Sequence, residues 1–205
     1  MLFTRDGFEG VSMDDIAGQA GVSKATLYSR FASKEALFEG VVRARVESHP
    51  VVVPPDLSDR GDFRRTLESF GHRLMAILTH PGVRAMHRLL ITHREQHPEL
   101  LAIVHRNGPR RMQEEVAALL RRGHELGHVR VPDAMLAADQ LVSMWKGMAQ
   151  VAMEMGIAGP RTPAEGKRHV RACTGVLLRA YAVGEKSCAR EGAVARDAAK
   201  VGRTE

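Results

Sequence analysis

Two groupings in this 205-residue chain are spaced so that they could carry chemistry. The first is histidine. His93 and His97, and His124 and His128, stand four residues apart and would share a helix face, the spacing of a metal-binding pair. The first pair reads His93-Arg94-Glu95-Gln96-His97, not His-Glu-x-x-His, and neither cysteine nor a carboxylate set completes either pair. Solvated or core histidines, and no metal, are therefore expected. The second grouping runs from Ser23 to Lys34. It sets small and hydroxylated side chains among Lys24, Arg30 and Lys34 with no acid between them. Short side chains allow close approach to a groove, hydroxyls bond to phosphates, and scattered positive charge neutralises them, which is nucleic-acid chemistry. No glycine-rich phosphate loop, nucleophile elbow or triad spacing is visible. Neither an enzyme nor a cofactor is expected.

These residues need elements to hold them, and the chain reads as helix nearly throughout. Ser12, followed by Asp15, resembles a capping box, and Ser23 and Ser33 stand where two further short helices should begin. Gly21 fits the tight turn between the first two. Ile16, Ala17, Ala20, Val22, Leu27 and Phe31 would form a small apolar knot, leaving Lys24, Ala25, Thr26, Tyr28 and Ser29 facing outward. Val51-Val52-Val53-Pro54-Pro55 reads as an extended linker. Phe63, Leu67, Phe70, Leu74 and Ile77 mark one face of a helix that Pro81-Gly82 ends. Val83, Met86 and Leu90 begin another, running to about Gln96. Leu100, Leu101 and Val104 predict a short helix broken or kinked at Asn107-Gly108-Pro109, and Met112, Val116 and Leu119 resume the pattern up to Gly127. Pro132-Asp133 opens one long helix striped by Leu141, Met144, Met148, Val151 and Met155. The last, from about Pro163, carries Val170, Cys173, Leu177 and Tyr181.

The chain carries a formal net charge of +6, with 44% hydrophobic and 26% charged residues, ordinary values for a globular protein. No apolar run suggests a membrane span, and the charged start does not read as a secretory signal, so a cytoplasmic protein is expected. Cys173 and Cys188 are expected to be plain thiols. The Ala, Gly and charge-rich stretch 186–205 reads as a flexible tail.

Phe3, Gly7-Phe8, Ser12-Met13, Ile16-Ala17, the run Ala20-Gly21-Val22-Ser23-Lys24-Ala25-Thr26-Leu27-Tyr28, Arg30-Phe31, and Ser33-Lys34-Glu35-Ala36-Leu37-Phe38 together resemble the TetR/AcrR family of bacterial transcription regulators. The resemblance implies an all-α fold, with an N-terminal helix-turn-helix three-helix DNA-binding domain over 1–47 (the motif at about 12–31). A linker over 48–61 and a larger helical effector-binding and dimerisation domain over 62–185 would follow. It also implies roles. Ser12, Lys34 and Tyr28 would reach phosphates, and Lys24, Ala25, Thr26 and Ser29 would face base edges and flanking phosphates. The expected partners are a second copy of the chain and a pseudo-palindromic double-stranded operator, with the protein on the nucleoid when bound.

The family's first helix normally begins well before the position of Leu2-Phe3, and residues 1–47 hold six cations against seven anions. From this comes the expectation that the true start lies upstream or that DNA binding is weak, since phosphate neutralisation dominates affinity. The C-terminal half resembles the AefR-like branch, at Gly108-Pro109 and around Trp145-Lys146-Gly147-Met148. Small residues at Ala134, Ala138, Ser143, Gly147 and Ala152 would let that long helix join the last one in a symmetric four-helix interface, or pack within one chain. Met75, Met86, Leu90, Met112, Val116, Met144, Trp145 and Met148 are the candidate effector-pocket residues, because thioethers and an aromatic ring line adaptable apolar cavities. The same residues at helical spacing are also ordinary core. The functional expectation is a repressor released by a small hydrophobic or aromatic effector. Its alternative is a dimeric small-molecule-binding protein whose head no longer binds DNA.

Overall fold

The computed structural model describes residues 2–183; the tail 186–205 and Cys188 lie outside them. Among the described residues the regular elements are helical: α1 (Leu2–Asp6), α2 (Met13–Ala20), α3 (Lys24–Arg30), α4 (Lys34–Glu47), α5 (Arg60–Thr79), α6 (Pro81–Thr92), α7 (Pro98–His105), α8 (Arg111–Glu125), α9 (Ala134–Glu154) and α10 (Pro163–Ala180). Side-chain caps open most of them, each satisfying amide donors that the first turn leaves over. The Ser12 capping box is complete, with Asp15 at its third position. Ser23 accepts from the Thr26 amide and Ser33 from that of Ala36. Asp59, Asp133 and Thr162 do the same for α5, α9 and α10.

Several boundaries differ from the sequence expectation. Pro81 starts α6 rather than only ending α5, because its missing N–H costs nothing at the first position and His80 Nδ1 accepts from the Gly82 amide at 3.1 Å. That helix stops at Thr92, short of Gln96. Pro132 lies ahead of α9, and Asp133 caps it. Asn107-Gly108-Pro109 does not break the helix: Arg106–Arg110 is a π-turn continuous with α7 and α8. In a regular helix the amide facing the His105 carbonyl would come from Pro109, which has none. The wider i→i+5 pattern passes that role to Arg110.

The most consequential difference is in α9. Gly147 sits at φ 59°, ψ 178°, so the expected single helix is two segments meeting at a kink. This region of backbone space is essentially closed to residues with a Cβ. The kink strips helical partners from nearby carbonyls, and α10 and the loop before it replace them. His169 Nε2 lies 3.0 Å from both Met144 O and Trp145 O, Cys173 Sγ donates to Met144 O at 3.3 Å, and Arg161 donates to Lys146 O at 3.4 Å.

Two apolar cores organise the helices. One lies in the body, where Phe63, Leu67, Leu120, Leu141, Trp145, Val170 and Leu177 are fully enclosed. Gly71 lets α5, α9 and α10 meet there: a Cβ would stand 2.6 Å from Val170 and 2.9 Å from Trp145. The other core belongs to the first four helices. Its centre is the ring cluster of Phe3, Phe8 and Phe38, with centroids 5.6–5.8 Å apart. Leu90, Leu100 and Ile103 of the body complete it, so head and body share buried surface. Each large side chain enclosed this way contributes about 1.5–3 kcal/mol relative to exposure. Ala20 and Val22, expected in the head's apolar knot, are exposed instead. The Phe cluster, not the α2–α3 turn, supplies the filling.

Candidate functional site

α3 is held on the head by Leu27, the one residue of the helix that is buried, and by the Phe31 side chain at its end. The remainder of α3 faces out. Lys24, Ala25, Thr26, Tyr28 and Ser29 are all exposed, Tyr28 at 45%. Ser29 Oγ donates back to the Thr26 carbonyl at 2.9 Å, and Thr26 Oγ1 lies 2.7 Å from Ser23 Oγ, so both hydroxyls keep donor or acceptor capacity facing solvent. The Lys24 ammonium reaches Asp14 Oδ2 at 2.8 Å and stands 6.0 Å from the Tyr28 ring centre. The hydrogen bond and charge of Asp14 raise the Lys24 pKa, so the ammonium stays charged. Both groups of this pair are open to water, so the pair is screened by salt and open to competition from other anions.

The other two expected phosphate contacts differ from α3. Ser12 is exposed, but its hydroxyl donates to Asp15 at 2.5 Å, and that bond with the Ser12 amide bond holds the Asp15 carboxyl below the usual range. Lys34 is half-buried. Its ammonium donates to the Phe8 carbonyl at 2.8 Å and lies 4.4 Å from the Phe8 ring centre, so in this state it ties the α1–α2 loop to α4. Nothing in its spacing from Ser33 or Glu35 signals this, since Phe8 is 26 residues away.

A cavity of about 490 Å³ lies between α4, α5, α6, the π-turn and α9. Of the residues expected to line an effector pocket, Met86, Leu90 and Met112 do so. The other five lie elsewhere. Met75 and Met144 pack on the body core, and Val116 and Trp145 are enclosed within it, the indole N–H donating to Thr174 Oγ1 at 3.2 Å. Met148 is 79% exposed, turned outward by the Gly147 kink. Sequence reasoning missed Val42, Arg45, Val46, Ile77 and Met153 on the cavity wall. The Val42–Val46 spacing on α4 was the one available signal, four residues apart on one face.

The histidine pairs are accounted for structurally. His128 Nε2 donates to Leu57 O at 2.6 Å and stacks on Phe63, while His124 Nδ1 accepts the Val131 amide at 3.1 Å. His97 lies 3.1 Å from Glu9 and 3.2 Å from Glu99, bridging head and body, and His93 sits at the exposed end of α6. Among the described residues no cluster of three or more His, Cys, Asp or Glu is arranged to hold a metal ion, and no helix is long and apolar enough to cross a membrane.

Polar ties join α4, which follows α3, to the body. Glu39 accepts from Arg106 at 2.8 Å and from Asn107 at 3.0 Å, and its carboxyl is held low by those two bonds. Glu47 accepts from Arg111 at 3.3 Å. The polar, solvent-facing α3 thus sits on a small helical head anchored to a helical body, with a cavity at the junction.

Comparison with known proteins makes this specific. A family model described as "Bacterial regulatory proteins, tetR family" matches residues 1–41, and one described as "AefR-like transcriptional repressor, C-terminal domain" matches residues 65–183. The chain belongs to the TetR family of transcriptional regulators, which are not enzymes. A solved structure described as the flavonoid-responsive regulator FrrA is 30% identical, with 89% of this chain and 92% of that one covered and a TM-score of 0.71. A TetR-family regulator from Mesorhizobium loti is 28% identical over 88% and 91% of the two chains, with a TM-score of 0.70. The biofilm operon icaADBC negative regulator IcaR of Staphylococcus aureus is 40% identical over 42 residues, 20% of this chain. That match spans 23% of the relative's length.

Proposed function

We propose that the protein is a dimeric repressor that binds a pseudo-palindromic operator through α3 and leaves it when a small apolar or aromatic effector enters the α4–α9 cavity. In this reading residues 1–47 form the DNA-binding head, 48–61 a linker and 62–185 the effector-binding and dimerisation body. The observation that carries it is the outward α3 face, Lys24-Ala25-Thr26 with Tyr28 and Ser29, exposed as a unit on a helix anchored by Leu27. Two copies of that helix would enter major grooves about 34–36 Å apart, or a multiple of that. Met148 and Val151 on α9, Met155 and Ile157 just after it, and Val176 on α10 are exposed apolar side chains available to a second copy, which supports a dimer. A cavity lined by Met86, Leu90, Met112 and Met153 supports an apolar effector, and the flavonoid-responsive neighbour supports an aromatic one. Effector binding would shift the equilibrium toward a conformer with altered head separation, and a coupling of about 1–3 kcal/mol corresponds to roughly 5–150-fold release.

A mobility-shift titration on DNA flanking the protein's own gene tests the reading. Specific, salt-sensitive binding is expected, and Tyr28→Phe should weaken it about tenfold per head, roughly a hundredfold for the dimer, by removing one charge-assisted hydrogen bond at each head. The second reading, a ligand-binding dimer with a DNA-incompetent head, is favoured by the six cations and seven anions of residues 1–47. Absence of specific binding at every salt concentration would select it.

A further inference from the structure

The cavity walls are apolar, yet their charged residues are almost all of one sign. Arg45, Arg84, Arg88 and Lys146 border it, and among the described residues none of them pairs with a carboxylate. The acid on the wall, Glu154, faces His87 at 3.7 Å. A second hollow of about 500 Å³, beneath the linker between α4, α5 and α8, gives the contrast. There Arg73 pairs with Glu115, and Arg111 lies 3.0 Å from Glu115 and 3.3 Å from Glu47, so its cations are already matched.

Arg45 stands out among the four cations. It projects from the last turn of α4, and its Nε is enclosed with no hydrogen-bond partner. Arg45 lines the cavity without an ion pair, so a neutral apolar guest would take water from its charge without relief. The positive field is felt next door. His80, also on the wall, has its pKa lowered by loss of water, and next by the charges of Arg45 and His49.

We infer that the cavity takes an apolar molecule bearing one carboxylate, whose anion is held by Arg45 with Lys146 contributing charge, while Met86, Leu90 and Met112 enclose the body of the molecule. A guanidinium fork matches a carboxylate in shape as well as sign. The inference rests on the proposal that this cavity is the effector site, and deepens it: the anion would be gripped by α4 itself, the helix that follows α3 and carries the Glu39 and Glu47 ties.

The test uses the full chain and two pairs of near-isosteric probes, biphenyl-4-carboxylate with its carboxamide and decanoate with decanamide, titrated by calorimetry. At least one carboxylate should bind about tenfold more tightly than its amide, the scale of one charge-assisted hydrogen bond. Arg45→Met should remove most of that preference, weakening the carboxylate far more than its amide, with an unchanged circular dichroism spectrum showing that the variant is folded. Lys146→Met should reduce it less. Equal binding of acid and amide, or equal weakening of both by Arg45→Met, overturns the anion site and leaves the effector cavity standing. Binding of none of the four probes overturns the effector cavity itself, and the anion site with it.

Discussion

Replacing Gly147 by alanine is the most demanding test of this architecture. At φ 59°, ψ 178° an alanine is strained by about 1–3 kcal/mol. Its Cβ would also stand 3.3 Å from His169 Nε2, which serves Met144 O and Trp145 O, and 3.4 Å from Arg161 Nη2, beside the Nη1 that donates to Lys146 O. Displacing either would strand a backbone acceptor, adding to the loss. Against this, alanine restricts the unfolded chain, an opposing gain of about 0.4–1 kcal/mol. The net expectation is a loss of about 1–2 kcal/mol, or roughly 2–8 °C in Tm for a chain of this size. Urea unfolding followed by circular dichroism gives the free energy, and emission from Trp145, the single tryptophan two residues away and fully enclosed, reports the kink itself. Gly18→Ala is the control, since that glycine has ordinary helical backbone and nothing within 4 Å of a new Cβ, so a small gain is expected. If Gly147→Ala matched or exceeded the parent in stability while Gly18→Ala behaved as stated, the kink would not be a built feature of α9.

Two further outcomes follow from the charges. Asp14→Asn should strengthen binding to any duplex and steepen its salt dependence, because it releases Lys24 from a 2.8 Å ion pair for phosphate contact; unchanged affinity at low salt would show that Lys24 faces no phosphate. His72 has its pKa lowered below the ordinary 6.5, first by burial, with Lys167 and Arg171 adding to the effect and Glu68 opposing it. The unfolded chain therefore takes up this proton first as pH falls, and the stability held by neutral His72 is lost below about pH 6.5. Melting temperature should drop between about pH 7.5 and 5.5, and His72→Phe should flatten that slope. The capping carboxylates Asp15 and Glu165, both held low by their serine or threonine partners, act only in the more acidic window below 3.8 and 4.5, so the two effects separate on the pH axis. A slope identical in His72→Phe would place the acid sensitivity elsewhere.

The parts of the molecule that were readable in advance are those set by local chemistry. Serine caps marked where α2, α3 and α4 start, and the stripes Phe63–Leu67–Phe70–Leu74 and Val170–Leu177 gave the buried faces of α5 and α10, whereas the Asp59, Asp133 and Thr162 caps came only with the structure. The outward set on α3 followed from Leu27 alone being its inward residue. What stayed hidden depends on partners distant in sequence. Gly147 inside an apolar stripe reads as a tolerable helix residue; only His169 and Arg161, brought from α10 and the loop before it, make the break affordable for the carbonyls. Trp145 has the composition of a pocket residue, yet Thr174 on α10 gives its indole a buried partner. Periodicity names which face of a helix is covered but not which neighbour covers it, so Met86, Leu90 and Met112 could not be separated from Met75 and Val116 before the helix crossings were known.

The π-turn has a consequence for how the two cores are coupled. α7 offers Leu100 and Ile103 to the head, whereas α8 offers Met112, Val116 and Leu120 to the body. One extra residue in a turn sets the apolar stripe back by the arc of a single residue, about 100°. The wide turn at Arg106–Arg110 is thus a phase shifter in an otherwise continuous rod, letting one axle serve two sockets that face different ways. Losing or gaining one residue between 106 and 110 would therefore turn the two apolar faces out of register while leaving both sockets chemically intact.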